Sequence, residues 1–264
     1  MTRTAPPTDV PPSTAIVFTH IPKTAGSSFV ADLVEANLPP DAVGSTSPLR
    51  SLRTRFEPGQ RFLTGHSAFG AHRLIASPVV YATFLREPID RAVSYYYFVR
   101  DPHSGSYRHP ERNRAERMSL IEFTRHRSRR NTQARYLAGV VCDRLYRVLP
   151  VALADRLVLR YASAHLRDRY VCIGLQARYE ESIALFQTAF GWDRRNPNPV
   201  RLKRTGERPA VAELSPAIVA ELHSILAVDR EVYRLAVVRF EALLAEPPDF
   251  RSLCPARNPI HADG

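Results

Sequence analysis

The chain has 264 residues, 44% of them hydrophobic, which is enough to bury the core of one α/β domain or of two small ones. Its 37 Lys and Arg residues outnumber its 26 Asp and Glu residues, and the net charge of +11 favours polyanionic partners or solubility without choosing between nucleic acid, glycan and phosphorylated cofactor. Three widely separated cysteines argue against a disulfide scaffold or a structural zinc site, and no apolar run approaches the roughly 18 residues of a membrane-spanning helix.

The ends of the chain differ in composition from its middle. Residues 1–14 are rich in Pro and Thr and have no apolar centre, so we expect a flexible leader instead of a signal peptide, with a cytoplasmic location by default. Residues 247–264 carry little hydrophobic order and predict a weakly ordered tail. No repeat or linker divides the remainder, and we therefore expect a single α/β domain over residues 15–246.

The first informative segment is residues 15–29. An apolar run over residues 15–18 predicts a buried strand, and an apolar stripe from Phe29 predicts a helix that ends before Pro39. The turn between them offers hydroxyls, a glycine and one ammonium, from Lys23, Thr24, Gly26, Ser27 and Ser28. Such a turn before a helix N-terminus favours phosphate or sulfate, although an ordinary helix capped by Ser27 or Thr24 remains an alternative. It is not a Walker A loop, because the lysine precedes the glycine.

Two further segments predict strands that end in functional side chains. Residues 41–60 read as a loop, and a short strand at residues 62–63 then leads to a turn that presents His66. A lone histidine is more often structural than catalytic. A continuous β-branched and aromatic run over residues 79–85 predicts a parallel strand buried on both faces, with Arg86 at its C-terminal end.

Arg86 and Lys23 are predicted to open onto one edge, because ligands of open α/β sheets collect at the carboxyl ends of the strands. A helix begins near Pro88, and Ser94 on that helix could share an oxyanion with Arg86. The alternative for Arg86 is an ion pair with Glu87 or Asp90.

The rest of the chain adds helices and one more strand. The Arg-rich residues 101–130 predict a flexible lid, a surface for an anionic substrate or a solvated basic helix. Later elements are helices up to about residue 166, a strand at 170–175, a helix at 179–190, a loop at 196–209 and a helical pair at 214–244. Three basic residues of that loop could reach a phosphate or lie in solvent: Arg201, Lys203 and Arg204.

Taken together, two motifs carry a family resemblance. The segments His20-Ile-Pro-Lys-Thr-Ala-Gly-Ser-Ser28 and Leu85-Arg-Glu-Pro-Ile-Asp-Arg-Ala-Val-Ser-Tyr-Tyr-Tyr97 resemble the 5′-phosphosulfate loop and the 3′-phosphate motif of the PAPS-dependent sulfotransferases. The resemblance is to the family-2 group, which includes heparan sulfate 2-O-sulfotransferase and related glycan sulfotransferases. Weaker similarities follow in the same order at Gly65-His66, Asn131-Thr-Gln-Ala-Arg135 and Ile173-Gly-Leu-Gln-Ala-Arg-Tyr-Glu-Glu-Ser182.

The resemblance implies a fold and a site. The fold would be α/β, a P-loop-like three-layer sandwich in which helices flank a central, mostly parallel sheet. Lys23 would neutralise charge on the bridging oxygen of PAPS, and His66 would be the general base, with His72 as a less favoured alternative. The 5′-phosphate would be held by Lys23, Thr24, Ala25, Gly26, Ser27 and Ser28, and the 3′-phosphate by Arg86 and Ser94. No metal is implied.

The implied reaction is sulfuryl transfer from PAPS to a hydroxyl of a carbohydrate or glycosylated acceptor. Eukaryotic Golgi members carry a membrane anchor, whereas the leader here suggests a bacterial cytoplasmic enzyme without stable membrane insertion and without a nucleic-acid partner. One alternative is an ATP-dependent small-molecule kinase. The strand at 79–85 argues against it, because Arg86 follows that strand where a kinase would have an Asp that binds magnesium. The other is a non-catalytic module that binds an anionic glycan.

Overall fold

A computed structural model describes residues 14–47, 56–57, 59–75, 77–101, 109–197 and 208–251. Within these residues, the strands are β1 (Ala15–Thr19), β2 (Val43–Ser45), β3 (Phe62–Gly65), β4 (Val79–Leu85) and β5 (Tyr170–Leu175). They form one sheet in the order β2-β3-β1-β4-β5, and every neighbouring pair is parallel. The expected α/β fold with a parallel central sheet is therefore confirmed.

The connections between the strands are largely helical. Helix α1 runs through Gly26–Phe29, a π-helical turn at Val30–Val34, and Glu35–Asn37. The others are α2 (Pro88–Arg100), α3 (Arg112–Arg117), α4 (Leu120–Arg125), α5 (Thr132–Ala138), α6 (Val140–Val148), α7 (Val151–Asp168), α8 (Tyr179–Phe190), α9 (Pro216–Ile225) and α10 (Ala227–Ala245). Short 3-10 turns lie at Pro40–Ala42, Ala71–Arg73, Gln176–Arg178 and Val211–Glu213. Across the described ranges, no helix is both long and apolar enough to cross a membrane.

Helices cover both faces of the sheet, which explains why its central strands are apolar throughout. On one face, the ring of Phe18 in β1 lies 4.9 Å from that of Phe29 in α1. Phe29 in turn lies 4.6 Å from Phe186 of α8. On the other face, Tyr81 of β4 lies 4.4 Å from Phe69, which stacks on His165 of α7 at 3.9 Å. Because successive side chains of a strand face opposite sides, β1 and β4 are buried on both.

The sequence located most central elements and missed one at the edge. The strands expected at residues 79–85 and 170–175 are confirmed with those bounds. The expectation that residues 41–60 form only a loop is wrong, because β2 pairs with β3 from Val43 to Ser45. Three residues are too few to show a period of two, so a short edge strand leaves no pattern in the sequence.

The described part of the Arg-rich region packs onto helix α2. Helices α3 and α4 bury Ala115 and Phe123 against Tyr96 and Val99 of α2. Arg114, Arg117 and Arg125 of these two helices are exposed, so the interpretation as solvated basic helices agrees with their outer faces, whereas their inner faces pack on α2. Residues 102–108 of this region lie outside the described residues.

The expected leader and tail are mostly outside the described residues, which begin at 14 and end at 251. Of the tail, residues 247–251 are described, and Phe250 is buried. Its backbone N–H donates to the carbonyl oxygen of Ala189 at 2.6 Å, and its ring lies 5.8 Å from that of Phe190. The chain after α10 therefore returns to the end of α8, and the boundary at residue 246 stays a prediction.

Two half-buried histidines, His72 and His165, should make the stability of the protein depend on pH. Burial, followed by the charge of Arg169, lowers the pKa of His72, and burial is also the largest cause that lowers the pKa of His165. As the pH falls through about 6.5, the unfolded chain takes up protons first, so the free energy of unfolding should decrease. Urea unfolding between about pH 7.5 and about pH 5.5 measures this slope. A His165→Gln variant should show a shallower slope, and an equal slope in the two proteins would contradict the assignment.

Candidate active site

The ends of three neighbouring strands bring the predicted functional residues to one edge of the sheet. Strand β1 pairs with β3 on one side and β4 on the other, and Thr19 lies opposite both Gly65 and Thr83. His66 follows β3, the loop of residues 20–28 follows β1, and Arg86 follows β4. Because the three strands are parallel, these segments share the carboxyl edge, where α/β proteins bind ligands.

The backbone of loop 20–28 is unusual. Lys23 and Ala25 have φ angles of 70° and 76°, in the left-handed region that costs non-glycine residues about 1–3 kcal/mol each. A left-handed residue followed by a helical one turns successive N–H groups toward a common point, and such concavities bind anions. Among the described residues, no side chain caps the first turn of α1, so the alternative of a helix capped by Ser27 or Thr24 is wrong.

The hydroxyl groups of the loop have different surroundings. Thr24 is buried, and its hydroxyl donates to the carbonyl oxygen of Ile21 at 2.9 Å, which closes the turn. Ser27 and Ser28 are half-buried, and Ser27 Oγ lies 3.5 Å from Nε2 of His20. A Cβ at Gly26 would lie 2.5 Å from Cδ2 of His20, so the close approach of that ring requires a glycine. Thr24 would therefore face a ligand mainly through its backbone.

Helix α2 supplies a residue that the sequence did not single out. Nζ of Lys23 lies 4.3 Å from the centroid of the Phe98 ring, within the range of a cation–π interaction. The contact joins the loop after β1 to the helix after β4.

The guanidinium of Arg86 has two partners, the carboxylate of Asp90 and the carbonyl oxygen of Lys23. Its Nε and Nη2 lie 2.7 and 2.6 Å from Oδ2 of Asp90, and its Nη1 donates to the carbonyl oxygen of Lys23 at 3.2 Å. The ion pair with Asp90 that the sequence left open is thus present. Arg208 lies 2.7 Å from the other oxygen of Asp90, so one carboxylate serves two guanidinium groups. Burial lowers the pKa of Arg86, and Asp90 acts in the opposite direction.

The remaining donors predicted for a second phosphate are only partly described. Ser94 lies on α2, two turns from its start, and is buried at 2% exposure. Loop residues Arg201, Lys203 and Arg204 lie outside the described residues.

His66 has a defined tautomer when it is neutral. Its Nδ1 lies 2.8 Å from the carbonyl oxygen of His20, and its ring is 4.4 Å from the His20 ring. Because a carbonyl oxygen only accepts, Nδ1 carries the proton and Nε2 is the basic nitrogen. The side chain is exposed at the sheet edge, as a group that meets a substrate must be.

His72, the other histidine considered, lies elsewhere. Its Nδ1 is 2.8 Å from the hydroxyl of Tyr81, in the middle of the β4 face, and its ring is 5.0 Å from Phe69. His72 thus packs with Phe69 and Tyr81 on the sheet face that α7 covers, away from loop 20–28. Across the described ranges, no cluster of three or more His, Cys, Asp or Glu side chains could hold a metal ion.

Comparison with known proteins agrees with this architecture. A family model described as "Sulfotransferase family" matches residues 6–144, more than half of the chain. No curated protein matches the chain. The matched residues include loop 20–28, His66, Arg86 and Ser94. The chain therefore belongs to the family-2 sulfotransferases, and its activity is sulfuryl transfer.

Proposed function

We propose that this sulfotransferase uses PAPS and transfers its sulfuryl group to a hydroxyl of a carbohydrate or glycosylated acceptor, with His66 as general base. The observation that supports this most is the meeting of loop 20–28, Arg86 and His66 at three adjacent strand ends. A donor with two anionic ends needs two separate sets of donors, and a hydroxyl acceptor needs a base beside them.

The residues present fit the two anionic ends of PAPS. Loop 20–28 combines left-handed turns, the start of α1 and the ammonium of Lys23, which suits a phosphosulfate. The guanidinium of Arg86, anchored to the carbonyl of Lys23, suits a phosphate beside that loop. The proposed contacts are Lys23, Thr24, Ala25, Gly26, Ser27 and Ser28 at the 5′ end, and Arg86 and Ser94 at the 3′ end. Bound PAPS supplies the sulfuryl group.

The protein's contribution is then a proton acceptor and fixed positive charge. Nε2 of His66 takes the proton of the acceptor hydroxyl, which makes its oxygen the nucleophile. The resulting imidazolium is stabilised because its Nδ1–H already donates to the carbonyl oxygen of His20. The ammonium of Lys23 neutralises the charge that develops on the leaving oxygen.

Donor identity can be tested by ligand-induced stabilisation. We expect 3′,5′-ADP to raise the melting temperature in a concentration-dependent manner, because it carries both phosphates of the donor. ATP with magnesium should have little effect, since it lacks a 3′-phosphate. The reverse pattern in a thermal-shift titration would favour the kinase alternative and would overturn the proposal.

Acceptor class requires a transfer assay. Incubation with labelled PAPS and a panel of saccharides, lipids and phenols should label saccharides. If only phenols or only lipids were labelled, the proposed acceptor class would be wrong, but the proposal that PAPS is the donor would stand. Binding of an anionic glycan without transfer to any acceptor would favour the non-catalytic module.

A further inference from the structure

We propose that Gln133 positions Arg86 for the 3′-phosphate of the donor, and that the buried carboxylate of Asp229 fixes Gln133 in turn. The inference rests on the proposed function, because it concerns how the same donor site is held in place. Neither residue was assigned a role from the sequence, although Gln133 lies within the segment Asn131-Thr-Gln-Ala-Arg135 that resembles the family.

The side chain of Gln133 binds both backbone groups of Arg86. Its Oε1 accepts from the N–H of Arg86 at 3.0 Å, and its Nε2 donates to the carbonyl oxygen of Arg86 at 2.9 Å. The ladder between β4 and β5 ends with the pair Leu85 and Leu175, so Arg86 is the first residue beyond it. The carboxamide thus takes the place of a neighbouring strand, since it offers one donor and one acceptor side by side.

This contact bears on the side chain of Arg86 as well as its backbone. A small rotation about the backbone of a residue is amplified at the end of a long side chain. The guanidinium of Arg86 lies 3.2 Å from the carbonyl oxygen of Lys23, so such a rotation would change its position relative to the anion loop. With the backbone fixed, the guanidinium is preorganised for a phosphate, which lowers the entropic cost of binding.

Gln133 is itself anchored through a buried carboxylate. Asp229 of α10 is fully buried, and its two oxygens accept from the backbone N–H groups of Gln133 at 3.3 Å and Ala134 at 2.7 Å. In return, Oδ1 of Asn131 accepts from the N–H of Asp229 at 3.2 Å. A carboxylate at the first turn of α5 is favourable because helix N-termini carry partial positive charge. The start of α5 is therefore tied to α10 and cannot shift alone.

Two roles for Gln133 make different predictions. If it only fills the core, its loss weakens every ligand of the fold to a similar degree. If it acts through Arg86, its loss weakens only ligands that carry the phosphate bound by Arg86. Its effect should also vanish once Arg86 has been removed, because residues that act through one another are not additive.

The test compares four proteins: the wild type, Gln133→Leu, Arg86→Ala and the double variant. Calorimetry gives their dissociation constants for 3′,5′-ADP and for 5′-AMP. We expect Gln133→Leu to weaken 3′,5′-ADP about tenfold and 5′-AMP by less than about twofold. In the Arg86→Ala background it should change neither constant by more than about twofold. Gln133→Met serves if the leucine variant does not fold, because methionine is unbranched and close to glutamine in size. It should also lower the preference for 3′,5′-ADP, since its thioether can neither donate to the carbonyl of Arg86 nor accept well from its N–H.

Ala138→Gly is the matched control, because it weakens the end of the same helix without touching Arg86. It should lower the melting temperature and leave the ratio of the two dissociation constants unchanged. Equal weakening of both ligands by Gln133→Leu, or additive effects in the double variant, would overturn the inference and leave the proposed function standing. A wild type that does not bind 3′,5′-ADP would overturn both.

Discussion

Replacing His66 with alanine is expected to lower kcat for sulfuryl transfer by about 10²–10⁴-fold, the usual contribution of a positioned general base. The affinity for 3′,5′-ADP should change by less than about twofold, because the imidazole meets the acceptor and not the nucleotide. Steady-state kinetics with saturating donor, together with calorimetry of 3′,5′-ADP, separate the two effects. The expected result is a variant that binds the nucleotide normally and turns over slowly.

The geometry at His66 explains the size of this effect. With Nδ1 donating to the carbonyl oxygen of His20 at 2.8 Å, Nε2 is the nitrogen that can accept a proton in the neutral ring. Added imidazole should restore part of the lost rate in His66→Ala, since a small base can enter the space left by the side chain. Rescue of this kind is not expected for a residue whose role is structural.

His72→Asn is the matched control for His66→Ala. His72 contacts Tyr81 beneath α7, so its replacement should affect stability more than turnover. Turnover at the wild-type rate by His66→Ala would remove His66 from the mechanism. Loss of turnover in His72→Asn with the fold intact would move the base to that residue instead.

Much of the fold followed from the sequence because its central strands are long and apolar on both faces. The runs that became β4 and β5 could be located because burial beneath helices on both sides removes polar residues from every position. The common edge of Lys23 and Arg86 followed from the same inference, since parallel strands end on one side. The structure adds His66 to that edge, because β3 is parallel to β1 and pairs with it.

What the sequence did not show are contacts between distant parts of the chain. Gln133 lies 47 positions from Arg86, and its amide meets the backbone of that residue only because α5 packs beside the end of β4. Phe98 and Lys23 belong to different elements, the helix after β4 and the loop after β1, and only the folded chain brings them into contact. An ion pair of Arg86 with Glu87 or Asp90 was an alternative from the sequence, and the structure has the pair with Asp90. The sharing of that carboxylate with Arg208 was not visible.

The anion loop shows a different limit of sequence reasoning. Its hydroxyl residues suggested side-chain capping, but in the structure Thr24 closes the turn and the left-handed backbone of Lys23 and Ala25 shapes the loop. Lysine and alanine have no preference for the left-handed region, unlike Asn or Asp, so residue type could not indicate these two positions and the surrounding structure must hold them there.

Replacing Lys23 with alanine should lower kcat by about 10²–10³-fold, because a fixed charge aimed at the leaving oxygen acts mainly in the transition state. Lys23→Arg should recover part of this rate, since it keeps the charge but changes its geometry. The alanine variant should still be stabilised by 3′,5′-ADP, because the remaining contacts at loop 20–28 and at Arg86 are retained. Single-turnover measurements at saturating donor report the chemical step directly.

The Phe98→Leu variant tests whether the position of the Lys23 ammonium matters for the rate in addition to its charge. Nζ of Lys23 lies 4.3 Å from the Phe98 ring, and leucine keeps apolar volume there but removes the ring that attracts the cation. If the ring positions the ammonium for the leaving oxygen, this variant should lose part of the rate even though Lys23 is present. If the ring holds the ammonium away from the donor, the variant should be faster than the wild type. A Lys23→Ala enzyme that retained the full rate would show that another group neutralises the leaving oxygen, because that charge must be stabilised wherever the sulfuryl group is transferred.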